Sequence, residues 1–337
     1  MRIVAPISRV EEVALLAREG ANELYCGFVP DDWVGRFKVR NANRRPSGNL
    51  RSLRELEAAI SSARQSGCTL SLVLNAQSYS DEQLEAAVEM GKLFIERGGD
   101  ALIASDLGLI SELSLHLPLR RIHVSSVATC RNGSAARLCR DLGASRLILP
   151  RDVTIEEACE IAAEVPDLET EVFILNDGCV FEEGACSTVH LPQRMGGPIC
   201  LDRYVSDYRP RGARKLSVAL CQSLRENDQE YEKWLWYRFS CGFTTNEQGM
   251  AFGPCGLCAL PRLLNGGVAA VKIAGREAPT ARKLASVRMV KAVLDRVEAG
   301  EHGEEIVRLA QNLRPSVEHC RTGYMCYYPE VLRKAVY

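Results

Sequence analysis

The sequence predicts an α/β fold, and within that class a (β/α)8 TIM-like barrel. Up to about residue 175, short β-rich apolar runs alternate with longer amphipathic segments, which is the pattern of repeated βα units and parallel strands. Eight strand candidates can be counted, and that number favours a closed barrel over an open doubly wound sheet. The 337 residues of the chain are enough for such a barrel.

The strand candidates are short runs rich in β-branched and aliphatic residues. In chain order they are RIVAP (2–6), ELYCG (23–27), TLSLVLN (69–75), DALIA (100–104), RIHVS (121–125), RLILP (146–150), EVFIL (171–175) and VAAVKI (268–273). The eighth follows a long interruption. Chemistry in this fold takes place at the carboxyl ends of the strands, so the functional residues are expected there.

The helix candidates begin with recognisable caps. The tetrapeptides with capping-box spacing are SRVE (8–11), SLRE (52–55), SDEQ (80–83) and TIEE (154–157). In such a box a hydroxyl and an acidic or amide side chain satisfy unpaired backbone donors reciprocally. Apolar residues recur at helical spacing behind each cap, so four helices are predicted to start at these points.

A cysteine-rich insertion interrupts the βα rhythm directly after the seventh strand. We expect the barrel to occupy residues 1–300, including this insertion at 176–259, and a C-terminal helix with an irregular tail to occupy 301–337. The insertion carries seven cysteines among Gly, Pro and Arg residues: Cys179, Cys186, Cys200, Cys221, Cys241, Cys255 and Cys258. A loop this long in a compact domain is usually functional.

Composition narrows the function classes. The 42 Lys and Arg nearly cancel the 43 Asp and Glu, so no global field attracts the chain to nucleic acid or to an anionic membrane. The start of the chain lacks the pattern of a signal peptide, and no apolar span is long enough to cross a bilayer. We therefore expect a cytoplasmic protein, in which 14 cysteines indicate a metal or redox site rather than disulfides.

The cysteines fall into two groups. Cys139 and Cys159 lie on apolar helix faces and are expected to be small buried hydrophobes. In the insertion, Cys179, Cys186, Cys200 and Cys241 have the spacing C-x6-C-x13-C-x40-C. Zinc sites usually use tight pairs, whereas iron–sulfur sites tolerate wider, loop-borne spacing, so the spacing favours iron–sulfur. The tight C-x2-C pair of the insertion lies in GPCGLC (253–258).

Three segments resemble the peptidase U32 family: GANELYCGF near the start, LETEVFILNDG followed by CVFEEGAC, and LPRLLNGGVAAVKIAGR. The resemblance covers nearly the whole chain and is greatest to the short, single-barrel members of oxygen-independent ubiquinone hydroxylation. It implies a [4Fe–4S] cluster on Cys179, Cys186, Cys200 and Cys241, with Cys255 or Cys258 as the alternative fourth ligand. It also implies hydroxylation of a quinone-type substrate or an RNA base, with prephenate as candidate hydroxyl donor.

Polar residues at strand ends are the candidates for substrate contact. Those chosen as catalytic candidates are Asn75, Ser125, Arg151 and Arg276, and Lys272 closes the eighth strand beside them. Such a cationic and hydrogen-bonding set is suited to anions. The alternative for each is a structural cap or ion pair. In KIAGR, Ala274 stands where the family has a carboxylate, so a base from that position is absent.

Two other functions stay open. A thiol peptidase needs a base beside its cysteine, but the five histidines come with no recognisable motif, and HExxH is absent. A non-catalytic cluster-bearing partner subunit or RNA-binding scaffold is the other alternative, because RYVSDYRPRGARK (203–215) interleaves basic and aromatic residues. The expected partners are a small-molecule substrate and a U32-type subunit, with RNA less favoured.

Overall fold

The computed structural model describes residues 1–38, 42–118, 121–179, 183–186, 206–212, 215–236, 252–314 and 318–332. Within these residues eight parallel strands form a closed barrel, because the first strand pairs with both the second and the last. The barrel strands are β1 (Arg2–Pro6), β2 (Glu23–Phe28), β4 (Thr69–Leu74), β5 (Ala101–Ala104), β6 (Ile122–Val124), β7 (Arg146–Ile148), β8 (Glu169–Leu175) and β9 (Ala270–Ile273). The predicted (β/α)8 barrel is confirmed.

A two-residue strand, β3 (Asn49–Leu50), pairs with the end of β2 outside the barrel order. All eight predicted strands are present, with ends that differ by up to two residues. Two residues carry no periodic pattern, which is why β3 was not predicted. The barrel strands are almost entirely buried, as the near-continuous apolar runs of a parallel sheet require.

Helices follow the strands and surround the barrel. Their bounds are α1 (Glu12–Arg18), α2 (Asp31–Phe37), α3 (Leu53–Gln65), α4 (Asp81–Glu96), α5 (Leu107–His116), α6 (Gly133–Asp141), α7 (Ile155–Glu164), α8 (Val218–Leu235), α9 (Leu260–Asn265), α10 (Thr280–Glu298), α11 (Glu304–Asn312) and α12 (Glu318–Thr322). Among the described residues, none of these helices combines the length and the apolar character that a bilayer crossing needs.

The predicted caps are confirmed at three of four positions. Ser80 and Thr154 form complete capping boxes at the starts of α4 and α7, and Ser52 accepts a hydrogen bond from the Glu55 N–H. The cap predicted at Ser8 is wrong. There α1 begins only at Glu12, whose carboxylate accepts the Ser8 N–H at 2.7 Å, so the acidic residue replaces the hydroxyl as the local acceptor.

The amino-terminal half of the barrel interior is charged. Arg146, the first residue of β7, bonds to Glu23 and Glu171 at 2.5–2.9 Å, and Lys272 bonds to the same Glu171 at 2.7 Å. His123 lies buried beside this network, where burial lowers its pKa to about 3. These charges pair with one another, because a buried ion needs a partner. The last member of the network is Lys272, which extends toward the carboxyl-terminal face of the barrel.

The C-terminal tail packs against the end of β8. The Tyr328 hydroxyl of the tail donates to the Phe173 carbonyl at 2.8 Å, and the Gly256 N–H, from the segment before α9, donates to the Ile174 carbonyl at 2.8 Å. The register of β8 against β9 shifts between Phe173 and Leu175, which leaves these carbonyls for other partners. The tail thereby supports the strand from which the insertion leaves. The division into 1–300 and 301–337 stays a prediction.

Candidate functional site

A cavity of about 410 Å³ opens at the carboxyl ends of the barrel strands. All four catalytic candidates contribute to its wall, together with Cys179 and Lys272: Asn75, Ser125, Arg151 and Arg276. Arg44, Phe173 and Glu183 also line it. We call this space the mouth cavity. Its volume lies in the range of small-molecule sites.

Arg276 is a buried cation held by neutral groups. Its Nη1 donates to Asn49 Oδ1 at 3.0 Å and its Nη2 donates to Asn43 Oδ1 at 2.9 Å. No carboxylate of the described residues lies within ion-pair distance of it, because the adjacent Glu277 pairs with Arg45 instead. Burial lowers the pKa of Arg276, but a guanidinium stays charged in proteins. A buried charge without a counter-ion favours an anionic ligand.

Gly27, the second glycine of GANELYCGF, is required for this arrangement. A Cβ on Gly27 would overlap both Arg276 Nη1 and Asn49 Oδ1. Because β2 brings its backbone directly against the guanidinium, only a residue without a side chain leaves room for it. The sequence motif and the placement of the cation are therefore linked.

Arg151, unlike Arg276, has a carboxylate partner. Its guanidinium pairs with Glu183, its Nε donates to the Asp177 carbonyl at 2.9 Å, and its Cζ lies 3.7 Å from the centre of the Phe173 ring. Arg151 is thus compensated by a carboxylate from the insertion. Its role includes holding that segment, which is the structural alternative stated for it, and it still contributes to the wall.

Asn75 and Ser125 form a hydrogen-bonded pair at the strand ends. The Asn75 Nδ2 donates to Ser125 Oγ at 3.3 Å, while Asn75 Oδ1 accepts the Arg44 N–H at 3.3 Å. Ser125 also caps the short 3-10 turn Ser126–Ala128. Ser125 therefore has the capping role that was stated as its structural alternative, and it also lines the mouth cavity.

A strained turn delivers Cys179 to the mouth cavity. Asn176 and Asp177, which follow β8, have φ values of +68° and +42°, a conformation that costs energy for residues other than glycine. Asn176 is held by its Nδ2, which donates to Ser286 Oγ at 2.8 Å, and its carbonyl accepts from the Tyr327 hydroxyl. Strain maintained by surrounding bonds is a frequent mark of functional sites.

The segment 183–186, which ends in Cys186, is tied over the same mouth. Arg44 Nη1 donates to the Glu183 carbonyl at 2.8 Å and Gln77 Nε2 donates to the Gly184 carbonyl at 2.7 Å. Cys186 is half-buried, as is Cys179. Both cysteines of CVFEEGAC are therefore carried by backbone that is anchored at the barrel mouth.

The remaining predicted ligands are distributed differently. Cys200 and Cys241 lie outside the described residues. Cys255 and Cys258 line a separate small cavity with Cys320 and Cys326. Over the described ranges, no three His, Cys, Asp or Glu side chains stand together as a preformed metal site. The four-cysteine ligand set and its alternative fourth ligand stay predictions.

Cys139 lies buried on α6 as expected, and Cys159 is half-buried on α7. Of the described histidines, none contributes to the wall of the mouth cavity. Part of the basic segment 203–215 falls outside the described residues, and its described residues, 206–212 and 215, are exposed.

Sequence reasoning missed the residues that hold Arg276. Asn43 and Asn49 belong to the polar segment NANRRPSGN (41–49) between β2 and α3. A signal was present, since this segment follows a barrel strand on the catalytic face and is rich in Asn and Arg. The partner of Arg151, Glu183, lies inside CVFEEGAC itself and was overlooked beside the cysteines.

The fold and site define a (β/α)8-barrel protein with a cationic, cysteine-bearing cavity at its carboxyl face. The profile of Peptidase family U32 matches residues 8–334. The chain belongs to this family.

Three curated relatives have informative names. The tRNA hydroxylation protein P of Escherichia coli (strain K12) is 29% identical over 184 residues, which are 55% of this chain and 38% of that protein. Its namesake in Helicobacter pylori (strain J99) is 25% identical over 189 residues, 55% of this chain and 42% of that protein. The 23S rRNA 5-hydroxycytidine C2501 synthase of Escherichia coli is 28% identical over 139 residues, 41% of this chain and 20% of that protein. The chain spans about two fifths or less of these relatives.

Solved structures are more distant in sequence. "The Structure of the U32 Peptidase Mk0906" has 15% identity and a TM-score of 0.41, over 52% of this chain and 68% of that chain. An N-acetylneuraminate lyase from Fusobacterium nucleatum has 9% identity and a TM-score of 0.48, over 96% of this chain and 82% of that chain.

Proposed function

We propose that this protein hydroxylates a base of RNA without molecular oxygen, at the mouth cavity, with a [4Fe–4S] cluster and an anionic hydroxyl donor such as prephenate. Membership of the U32 family and the RNA hydroxylation named for its relatives support the substrate class. The observation that carries the proposal is Arg276, a buried guanidinium without a carboxylate partner among the described residues, on the same wall as Cys179.

Arg276 binds the anionic donor. Its two asparagine partners fix the plane of the guanidinium without neutralising it, so a carboxylate that enters the cavity gains a charge-assisted, directional interaction. Lys272 adds a second cation nearby, although Glu171 already pairs with it at 2.7 Å. Arg276 is therefore the stronger anchor of the two.

The base is bound on the side of Arg151 and Glu183. Glu183 Oε1 is buried and has no hydrogen-bond partner in the described part of the chain, although the other carboxylate oxygen pairs with Arg151. An unused acceptor of this kind favours a ligand with an N–H group, which the edge of a nucleobase supplies. The flipped or single-stranded base required for such access is usual for enzymes that modify bases.

The cysteine set fits a cluster as far as it is described. Cys179 and Cys186 bring two thiols to the mouth, and thiolates are the ligands that iron–sulfur clusters take. Arg151 interacts electrostatically with Cys179, which supplies positive charge beside anionic ligands. Cys200 and Cys241 would complete the set. When bound, such a cluster supplies electron-transfer chemistry.

The atoms balance without an external electron source. The hydroxyl group passes from donor to base, and one hydrogen atom passes from base to donor. The base therefore loses two electrons and the donor gains them. The task of this chain is to hold both partners in one orientation and to exclude water, which is how proximity lowers a barrier.

The test uses purified protein and RNA taken from a strain that lacks the gene. The protein is prepared and incubated without oxygen, with and without prephenate, and the RNA is digested to nucleosides for mass spectrometry. We expect a nucleoside heavier by one oxygen atom that requires both protein and donor. Its absence in the complete mixture, or a strict requirement for molecular oxygen, would contradict the proposal.

A further inference from the structure

Four cysteines outside the mouth cavity surround a second, much smaller space. Its volume is about 20 Å³, and the cysteines that line it are Cys255, Cys258, Cys320 and Cys326. None of them contributes to the mouth cavity. All four have free thiols. Two parts of the chain more than sixty residues apart thus place two cysteines each around one point.

Backbone bonds hold these two parts in register. The Cys255 N–H donates to the Met325 carbonyl at 2.8 Å, and the Tyr327 N–H donates to the Cys255 carbonyl at 2.9 Å. Cys255 and Cys326 therefore form a parallel bridge. The juxtaposition is built by the main chain rather than by chance contact of long side chains.

The surroundings of the four thiols suit a cation. All four cysteines are half-buried and line the same small space. Arg314 interacts electrostatically with Cys258 and Cys320 and donates to the Gly253 carbonyl at 2.6 Å. A fixed cation beside four thiolates offsets part of their charge.

We propose that Cys255, Cys258, Cys320 and Cys326 bind one zinc ion. The C-x2-C pair is the tight spacing of structural zinc sites, and four thiolates in tetrahedral geometry are a common zinc ligand set. The cavity holds about one water-sized body, which suits a single ion and is too small for a four-iron cluster. The thiols do not yet converge to ligand distance, so binding draws them inward by rotation about χ1.

The ion would fasten the tail to the strand that carries the mouth cavity. Next to Cys326, Tyr327 donates its hydroxyl to the Asn176 and Asp177 carbonyls, and Tyr328 donates to Phe173. A bound ion therefore stabilises the turn that precedes Cys179. This is a structural role, and it does not depend on the reaction catalysed at the mouth.

The test measures metals in the full-length protein, purified without added metal. Elemental analysis is expected to give about one zinc per chain, in addition to any iron. Cys258→Ser and Cys320→Ser should each lower zinc several-fold and leave iron unchanged, whereas Cys179→Ser should do the reverse. Cys221→Ser, which changes a half-buried cysteine on α8, is the control and should change neither.

A second measurement does not depend on how the variants fold. Cobalt(II) added to wild-type protein after zinc removal should give the intense thiolate-to-cobalt absorption of tetrahedral sulfur coordination, and zinc should displace it. Wild-type protein with neither zinc nor this absorption would overturn the proposal. So would iron and sulfide that are lost in Cys258→Ser, because they would identify a cluster instead of a single ion.

Discussion

Arg276 donates from its Nη2 to Asn43 Oδ1 at 2.9 Å, and the neutral amide leaves the guanidinium charge uncompensated. The bond joins the loop after β9 to the segment between α2 and β3, across 233 positions of the chain. A second amide, Asn49, completes the pair. The barrel therefore presents a positioned and uncompensated guanidinium at its mouth, and the proposed binding of an anionic donor depends on it.

Replacement of Arg276 by Gln should weaken donor binding. Loss of a buried, hydrogen-bonded charge from a binding pair costs about 2 kcal/mol or more, roughly thirtyfold in affinity. Calorimetric titration with prephenate measures this. Arg288→Gln removes an exposed guanidinium that pairs with Glu19, and it should bind like wild type. Equal affinity of wild type and Arg276→Gln would show that the anion binds elsewhere.

Gly27→Ala should weaken donor binding without removing any charge. The added methyl group overlaps Arg276 Nη1 and Asn49 Oδ1, so the guanidinium has to move. The control is Gly35→Ala in α2, where a Cβ meets open space, and alanine there should stabilise the helix by about 0.5–1 kcal/mol. Titration with prephenate should show weaker binding in Gly27→Ala than in Gly35→Ala, and a thermal melt verifies that both variants fold. Wild-type affinity in Gly27→Ala would mean that the orientation of Arg276 is unimportant.

A buried ion pair between α1 and α10 should contribute more to the free energy of unfolding than an exposed pair does. Lys283 Nζ lies 2.8 Å and 3.0 Å from the two carboxylate oxygens of Glu12, and both residues are almost fully buried. Glu12→Gln leaves the lysine charge unpaired and should lower the free energy of unfolding by about 3–5 kcal/mol. Urea denaturation measures it. Glu19→Gln, which breaks the more exposed pair with Arg288, should cost at most about 1 kcal/mol, and equal losses would contradict this.

The charged barrel interior should make the fold sensitive to acid. Burial lowers the pKa of His123 from 6.5 to about 3, so the folded state binds fewer protons than the unfolded state between those values. Stability is therefore complete above about pH 6.5 and falls as the pH decreases toward 3. Burial would raise the pKa of Glu171, but Lys272 and Arg146 outweigh it and lower the pKa to about 2. Its stabilisation is lost between about pH 4.5 and 2.

His123→Gln isolates the first of these effects, because glutamine does not titrate. Urea denaturation at several pH values between 7.5 and 4.5 should show a smaller loss of stability on acidification than in wild type. His302→Gln, at an exposed imidazole in the loop before α11, should keep the wild-type dependence. An unchanged pH dependence in His123→Gln would exclude His123 as the cause.

The architecture could be predicted from the sequence because the barrel strands are short apolar runs and several of the helices between them begin at recognisable caps. The positions of Asn75, Ser125, Arg151 and Arg276 followed from the same pattern, since strand ends point to one face. The failure at Ser8 had a local cause: the carboxylate of Glu12 accepts the backbone donors there.

What the sequence could not predict depends on contacts between distant loops. Asn43 and Asn49 hold Arg276 from more than two hundred residues away, and no spacing rule connects them. Likewise, Cys320 and Cys326 appear as part of an irregular tail until the fold places them beside Cys255 and Cys258. Periodicity reports local structure and leaves such pairings open.

The central claim is that an RNA base is hydroxylated at the mouth cavity with Arg276 as the anion anchor. The most direct measurement compares nucleosides, by mass spectrometry, from a strain without the gene and from the same strain carrying wild type, Arg276→Gln or Arg288→Gln, all grown without oxygen. We predict one hydroxylated nucleoside that is absent in the deletion, restored by wild type and Arg288→Gln, and not restored by Arg276→Gln. Identical nucleosides in the deletion and wild-type strains, or full restoration by Arg276→Gln, would contradict the claim.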